Sequence, residues 1–319
     1  MPPTGESPGS FRADSPGVTA PDPGRQTAGM DLPSALYQPT DHGYLATALT
    51  IGPWDPRFQH AGPPAALLAR AAEQASGIVD GQTVRLTYDI FAPVPVGPVR
   101  IRTSVVRPGR RIELVEAVLH GGDDRPVLHG GNEGAVLHGR RDGAVLHGGD
   151  ERPLMRLSAW RMRSDPDGPA DAEEGPHPAP AMPSDSRPEV AEFFTQDVAY
   201  HRALEWRFAA GSFNSPGAAA AWTRPSCELV EGEPMTPLQH LLVMTDAASG
   251  ISATLDWTGA TFANIDLTLG LQRPPRGEWL GMDATTLLGG TGAGQCFAVL
   301  YDEDGAIGRS SASLFVELR

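Results

Sequence analysis

The 319-residue chain has only two cysteines, Cys227 and Cys296, far apart and not in a CxxC spacing. A disulfide framework is thereby excluded, and a cysteine-based zinc site finds no support. Positive charge is also scarce: 25 Lys and Arg stand against 39 Asp and Glu, a net charge of −14. Nucleic-acid binding needs cations that displace counterions from phosphates, and no basic stripe exists here, so neither nucleic acid nor an anionic membrane surface is an expected partner. A local arginine or a helix N-terminus can still hold a small anion. No apolar run approaches the ~18 residues of a membrane span. The opening MPPTGESPGSFRADSPG carries early acidic residues and no hydrophobic segment, unlike a secretory signal. Cytoplasm is the expected compartment.

Glycine and proline, by contrast, are plentiful, at 37 and 31 residues. They gather in segments with little to bury. Residues 1–30 read as a disordered tail. Residues 164–187, rich in proline and acidic residues without periodicity, read as a linker. A repeat lies between them: VLH begins at Val118, Val127, Val136 and Val145, each copy followed by glycine. Its histidines, His120, His129, His138 and His147, raise the idea of a metal cluster. Duplication of one strand end with its turn explains their alignment without any shared ligand, so no metal is expected, and 118–150 reads as an extended or disordered insertion.

Two comparable blocks remain, 31–163 and 188–319, with the same order of elements. In the first, a strand-like Tyr44–Ile51 leads through GPWDPRFQHAGPP into the alanine-rich helical run AALLARAAEQAS, stopped at Gly77. Strand-like segments follow at 84–94, 99–107, 111–119 and 153–163. In the second, AYHRALEWRFAAG and AAAWTRPS are strand candidates before a helix that opens at Thr236-Pro237-Leu238-Gln239. This is a capping box with proline at the first helical position, and Gly250 is the expected stop. Strands are predicted near 262–271, 278–287, 294–301 and 306–318. One helix followed by four antiparallel strands is an α+β pattern. Its tandem repetition, each half a curved antiparallel sheet around one long helix, predicts a double hotdog. Pairing of the halves would remove exposed sheet edges.

Several segments carry a family resemblance. PWDPRFQHAGPPAALLARAAE resembles the entry to the central helix of actinobacterial thioesterase-family proteins, with Ala61 replacing the first glycine of their HGGP. LQHLLVMTDAASG, TFANIDLTLGLQRPPRGEWLGMDA and YDEDGAIGRSSASLFV resemble the helix and last strands of acyl-CoA thioesterase II. The resemblance implies cofactor-free hydrolysis of an acyl-CoA substrate. It also implies that an Asp, a Thr-like group and a Gln hold the hydrolytic water. The Asp falls on Asp246 and the strand group on Asn264. The Gln has no counterpart: Ala312 or Ser313 stands there, Ser313 being the polar candidate, and the nearest glutamine is Gln295 on the preceding strand. Self-association into a homo-oligomer is a further expectation.

Residue chemistry fits this reading. Thioester hydrolysis needs a base for water and donors for the carbonyl oxygen. Asp246 lies beside the apolar stripe Leu238, Leu241, Leu242 and Thr245, where burial favours a basic carboxylate; the plainer reading is a carboxylate capping local amides. Asn264 sits in a strand, where Asn is disfavoured. Asp266, on the same face by the period of two, reads as structural. His60 and Gly62, before and at the start of the first helix, and Arg273 with Arg276, are candidates for substrate binding. A satisfied loop histidine and a solvated turn are the plainer alternatives. No GxSxG elbow is present. The competing functions are a non-catalytic acyl-CoA-binding protein and a hotdog enoyl-CoA hydratase. The hydratase would use an Asp/His pair at the start of the helix, where the second half offers only His240.

Overall fold

The computed structural model describes residues 32–122, 152–165, 179–257 and 259–319. The predicted tail, the repeat copies with His129, His138 and His147, and residues 166–178 of the predicted linker lie outside these residues, while the first copy, with His120, ends a strand. In chain order the elements are β1 (Ala35–Thr40), β2 (Gly43–Ala46), α1 (Gly62–Ala75), β3 (Gly81–Ile90), β4 (Pro98–Arg107), β5 (Ile112–Gly121) and β6 (Pro153–Arg163). They continue with β7 (Arg187–Pro188), β8 (Leu204–Ala210), β9 (Ala219–Pro225), β10 (Glu228–Val230), α2 (Pro237–Thr245) and α3 (Ala248–Ile251). The last are β11 (Ala260–Asn264), β12 (Asp266–Leu271), β13 (Leu280–Leu288), β14 (Ala293–Asp302) and β15 (Gly305–Leu318). Among the described residues no helix is long and apolar enough to cross a membrane.

Alternation builds the strands. In β5, Val115, Ala117 and Leu119 are fully buried; in β13, Met282 and Ala284 point inward while Asp283 and Thr285 face out. The first half pairs in the order β1-β2-β4-β5-β6-β3 and the second in the order β12-β15-β14-β13-β9-β8. The two orders are images of each other. They meet where β3 pairs antiparallel with β12, from Asp266 opposite Asp89 to Gly270 opposite Arg85, so one hydrogen-bonded sheet spans both halves. Short strands absent from the sequence reading finish the edges: β10 runs parallel to β1, and β7 pairs with β8.

Each half wraps its sheet around one helix, and the two helices pack against each other. They run antiparallel, with Gly62 of α1 against Val243 of α2 at one end and Arg70 bonded to Glu233, just before α2, at the other. The contact is close because Ala65, Ala66, Ala69 and Ala72 give α1 a thin face. At Gly62 a Cβ would lie 2.3 Å from the Val243 carbonyl oxygen.

The helix ends differ from expectation. α1 begins earlier, at Gly62, because Pro63 and Pro64 are tolerated in a first turn whose amides have no intrahelical acceptor. The capping box on α2 is present: Thr236 Oγ1 accepts from the Gln239 amide and Gln239 Oε1 from the Thr236 amide. α2 nonetheless stops at Thr245, short of Gly250. The Ala247 amide bonds back to Met244 O, and the Asn264 side-chain amide takes the Asp246 carbonyl at 3.1 Å, so the chain restarts as α3. The expected linker also contributes structure at its end: a single turn at Pro183–Asp185, with Ala181 O accepting from Trp222 Nε1 at 2.7 Å. The strand expected over Tyr44–Ile51 splits into β2 and a turn at Ala48–Thr50 whose Leu49 amide is capped by Thr47 Oγ1.

Candidate active site

The site forms where the first turn of α1 meets the end of α2. His60 enters on a loop anchored by its own amide, which donates to Thr50 O at 2.7 Å. Its ring stacks on Tyr200, with centroids 3.7 Å apart and planes 1° from parallel. The Tyr200 hydroxyl donates to Val243 O at 2.7 Å, which ties this stack to α2. His60 Nδ1 then lies 3.0 Å from Asp246 Oδ2. Burial pushes the proton affinity of His60 below that of an ordinary imidazole, while the Asp246 carboxylate pulls the other way. The ring is therefore neutral at pH 7; a proton on Nδ1 donates to the carboxylate, and a proton on Nε2 leaves Nδ1 to accept from the Gly62 amide.

Asp246 is 6 % exposed and sits at the break between α2 and α3. Its second oxygen, Oδ1, accepts from Asn264 Nδ2 at 2.6 Å. The orientation of that amide is set by Ser249, whose hydroxyl donates to Asn264 Oδ1 at 3.0 Å. Both carboxylate oxygens thus have a polar partner from a different element. Beside Ser249 lies a small cavity of about 10 Å³, bounded by Phe262, Thr286, Leu314 and Val316, at the lower limit of the space one water occupies. The Gly62 amide N–H is directed at His60 Nδ1, 3.2 Å away. Pro63 and Pro64 have no N–H, so Gly62 is the first donor the α1 terminus offers.

The structure brings together four predicted residues: His60, Gly62, Asp246 and Asn264. Tyr200 and Ser249 join them without having been singled out. Tyr200 lies in a segment read as a strand, and nothing in its sequence neighbourhood marks it. Ser249 had a weak signal as a polar residue one turn after Asp246.

This geometry can be set beside known proteins. The family model for the acyl-CoA thioesterase C-terminal domain matches residues 169–316, and the model for the N-terminal domain matches residues 50–139. The chain belongs to the acyl-CoA thioesterase family. Membership makes it a thioester hydrolase. Solved structures agree on the fold. The thioesterase superposes on a hot dog fold protein of unknown function from Alicyclobacillus acidocaldarius (TM-score 0.61, 15% identity, 85% of this chain and 91% of that one). It also superposes on a candidate thioesterase II from Thermobifida fusca (0.60, 17%, 90% and 96%) and on acyl-CoA thioesterase II TesB2 from Mycobacterium marinum (0.55, 12%, 82% and 90%). No curated protein matches the chain.

Two predicted residues of the thioesterase lie elsewhere. Ser313 is on the outer face of β15: its hydroxyl accepts from Gln295 Nε2 at 3.1 Å, and its amide donates to Asp266. Its neighbours Ala312 and Leu314 face inward, and Leu314 is the residue paired with Asn264. The inner position opposite Asn264 is therefore apolar, and Gln295 points away from it. Asp266 is also corrected, since it does not share a face with Asn264. The ladder breaks at Ile265, between β11 and β12, which resets the alternation, and Asp266 accepts the amide of Ser313 beside that break.

Arg273 is held by Asp302, with Nη2 2.6 Å from Oδ1, and it also donates to Gly305 O. Asp302 is 1 % exposed and further accepts the Arg276 and Asp304 amides. The strand register puts this cluster near Gly308, six residues along β15 from Leu314, or about 20 Å. The ion pair with a buried carboxylate holds Arg273 there. His240, the other helix histidine, is buried against Thr223 Oγ1 at 2.8 Å and far along α2 from Asp246. Among the described residues no group of three His, Cys, Asp or Glu is arranged to hold a metal.

Proposed function

We propose that this thioesterase hydrolyses a fatty acyl-CoA by direct attack of water activated by Asp246. The observation that carries the reading is the two-sided grip on that carboxylate, by His60 on Oδ2 and Asn264 on Oδ1. In the reaction Asp246 takes a proton from water as the water oxygen bonds to the thioester carbonyl carbon. The tetrahedral intermediate collapses with cleavage of the C–S bond, and the proton passes to the departing thiolate, giving free acid and CoA. Asn264, fixed by Ser249, keeps the carboxylate lone pair aimed.

The test is single-turnover thiol release from hexanoyl-CoA by wild type and Asp246→Asn. Loss of a positioned base predicts a fall of ~10²–10⁴-fold with little change in binding. Equal rates would place the chemistry elsewhere.

The His60–Asp246 contact favours one second reading, hydration of an enoyl-CoA by an Asp/His pair at a helix start. The same protein incubated with crotonyl-CoA separates the two: loss of the enoyl absorbance without thiol release would support hydration.

A further inference from the structure

The two halves repeat more than their strands. The tetrapeptide Ala-Ser-Gly-Ile occurs at 75–78, from the last residue of α1, and at 248–251 after α2. Two residues before each copy stands a carboxylate: Glu73 in the first half, Asp246 in the second. The strands that follow are irregular at the same place. β3 is displaced in register between Thr83 and Arg85, and β11 breaks from β12 at Ile265. The residue just before each irregularity is polar, Thr83 in one half and Asn264 in the other, and each pairs with an inward position of its half's last strand, Arg161 or Leu314. The internal twofold thus carries Asp246 onto Glu73 and Asn264 onto Thr83. Because α1 and α2 are antiparallel, this second pair lies at the opposite end of the helix pair, beside the N-terminus of α2.

That end is open. A cavity of about 360 Å³ lies there, lined by Glu73, Thr83, Thr236, Leu238 and Leu271 among others, within the size range of small-molecule sites. The Thr83 hydroxyl is buried with no hydrogen-bond partner among the described residues, though close enough to the Glu73 carboxyl to favour its ionised form. Arg161, also buried, donates to Glu73 O at 3.1 Å and to Gly81 O at 2.9 Å and adds positive charge near the carboxyl. Exposed Arg163 and Arg276 adjoin the lining residues Ser164 and Pro275 in sequence.

We infer that this cavity is a second acyl-CoA hydrolytic centre, with Glu73 as the base and Thr83 orienting the attacking water. This rests on the thioesterase reading above but not on Asp246 being its base. Glu73 takes a proton from water, the water oxygen bonds to the thioester carbonyl carbon, the C–S bond breaks, and the proton leaves on the CoA thiol. The acyl chain lies along Leu238 and Leu271. Burial holds the Glu73 carboxyl above the usual carboxylate range, which strengthens it as a base.

The test compares wild type, Asp246→Asn, Glu73→Gln and the double variant in single-turnover thiol release from hexanoyl-CoA. The same proteins are titrated with S-hexyl-CoA, a thioether that cannot be hydrolysed. Two molecules of S-hexyl-CoA bound per chain are expected. The Asp246→Asn protein should retain hydrolysis that rises with pH as Glu73 ionises, and adding Glu73→Gln should remove that limb and lower the rate by about 10²-fold or more. If Glu73→Gln does not fold, Thr83→Val on the Asp246→Asn background provides the same comparison, since it removes one hydroxyl at constant shape. One molecule bound per chain, or a double variant as fast as Asp246→Asn alone, would overturn the proposal while leaving the Asp246 reading intact. If instead Asp246→Asn equals wild type and Glu73→Gln abolishes turnover, the first reading fails and this one stands.

Discussion

Substituting Gly62 by alanine tests whether the helix contact sets the geometry of the site. The added Cβ would lie 2.3 Å from Val243 O, 3.1 Å from its carbonyl carbon and 3.2 Å from its Cα. Ordinary contact begins near ~3.5 Å, so the shortfall is about 1 Å, and every atom it meets is backbone. A rotamer change cannot relieve it; α1 and α2 must move apart. Overpacking of this kind costs about 1–3 kcal/mol, a loss of roughly 2–6 °C in Tm for a chain of this size. The shift also displaces Val243 O, which holds Tyr200 and through it the His60 ring. A 1 Å displacement at a catalytic group reduces turnover by ~10²-fold. Calorimetry and single-turnover thiol release measure the two effects. Gly97→Ala is the control, because a Cβ there meets nothing within 4 Å; its Tm should hold or rise slightly. If Gly62→Ala melts within a degree of wild type and turns over normally, the close approach does not position His60 and Asp246, and the reasoning fails.

Asn264→Ala removes the donor to Asp246 Oδ1 and to its carbonyl; stability should fall by about 1–3 kcal/mol and the hydrolytic rate by ~10²–10³-fold, read from urea unfolding and thiol release. Arg273→Ala leaves the buried Asp302 carboxylate unpaired and should destabilise by about 3–5 kcal/mol without raising KM for acyl-CoA; a raised KM at unchanged stability would restore a substrate role. His240, whose proton affinity burial lowers to a pKa of about 3, stays neutral in the folded chain while the unfolded chain protonates it below pH 6.5. The unfolded state then binds more protons, so stability falls as pH drops from about 6.5 toward 3, by about 1.4 kcal/mol per pH unit. The gap between urea midpoints at pH 7.5 and 5.0 should narrow in His240→Gln, and an unchanged gap would remove His240 as a cause.

What could be read in the sequence was local. The alternation of β5 and β13, the capping box at Thr236 and the alanine run of α1 are short-range patterns, and their order in two blocks led to the double hotdog. Asp246 and Asn264 were legible through the family resemblance, Asn264 also as a residue disfavoured in a strand, and His60 and Gly62 through their place at the start of a helix. Strands β1, β7 and β10 escaped because two to six residues at a sheet edge are defined by their partners, not by their own periodicity. Ser313 and Asp266 show the same limit more sharply. Asp266 points away from Asn264 because one irregular residue, Ile265, reverses the alternation beyond it, and Ser313 faces out because the register of β15 turns Ala312 and Leu314 inward. Tyr200 reaches His60 only through tertiary packing, so no spacing rule finds it.

The β3–β12 seam has a consequence for how this molecule varies. When two identical chains assemble a hotdog pair, each substitution is made twice, and any change that suits one end of the helix pair is imposed on the other. Here the seam joins the halves within one chain, so a change is made once. The ring stack of His60 on Tyr200 occupies one end, while the other keeps Thr236 and an open hollow. Each end can therefore drift in the ligand it accepts without disturbing its counterpart. For engineering, the chain carries its own internal reference, one end altered and the other left as it is.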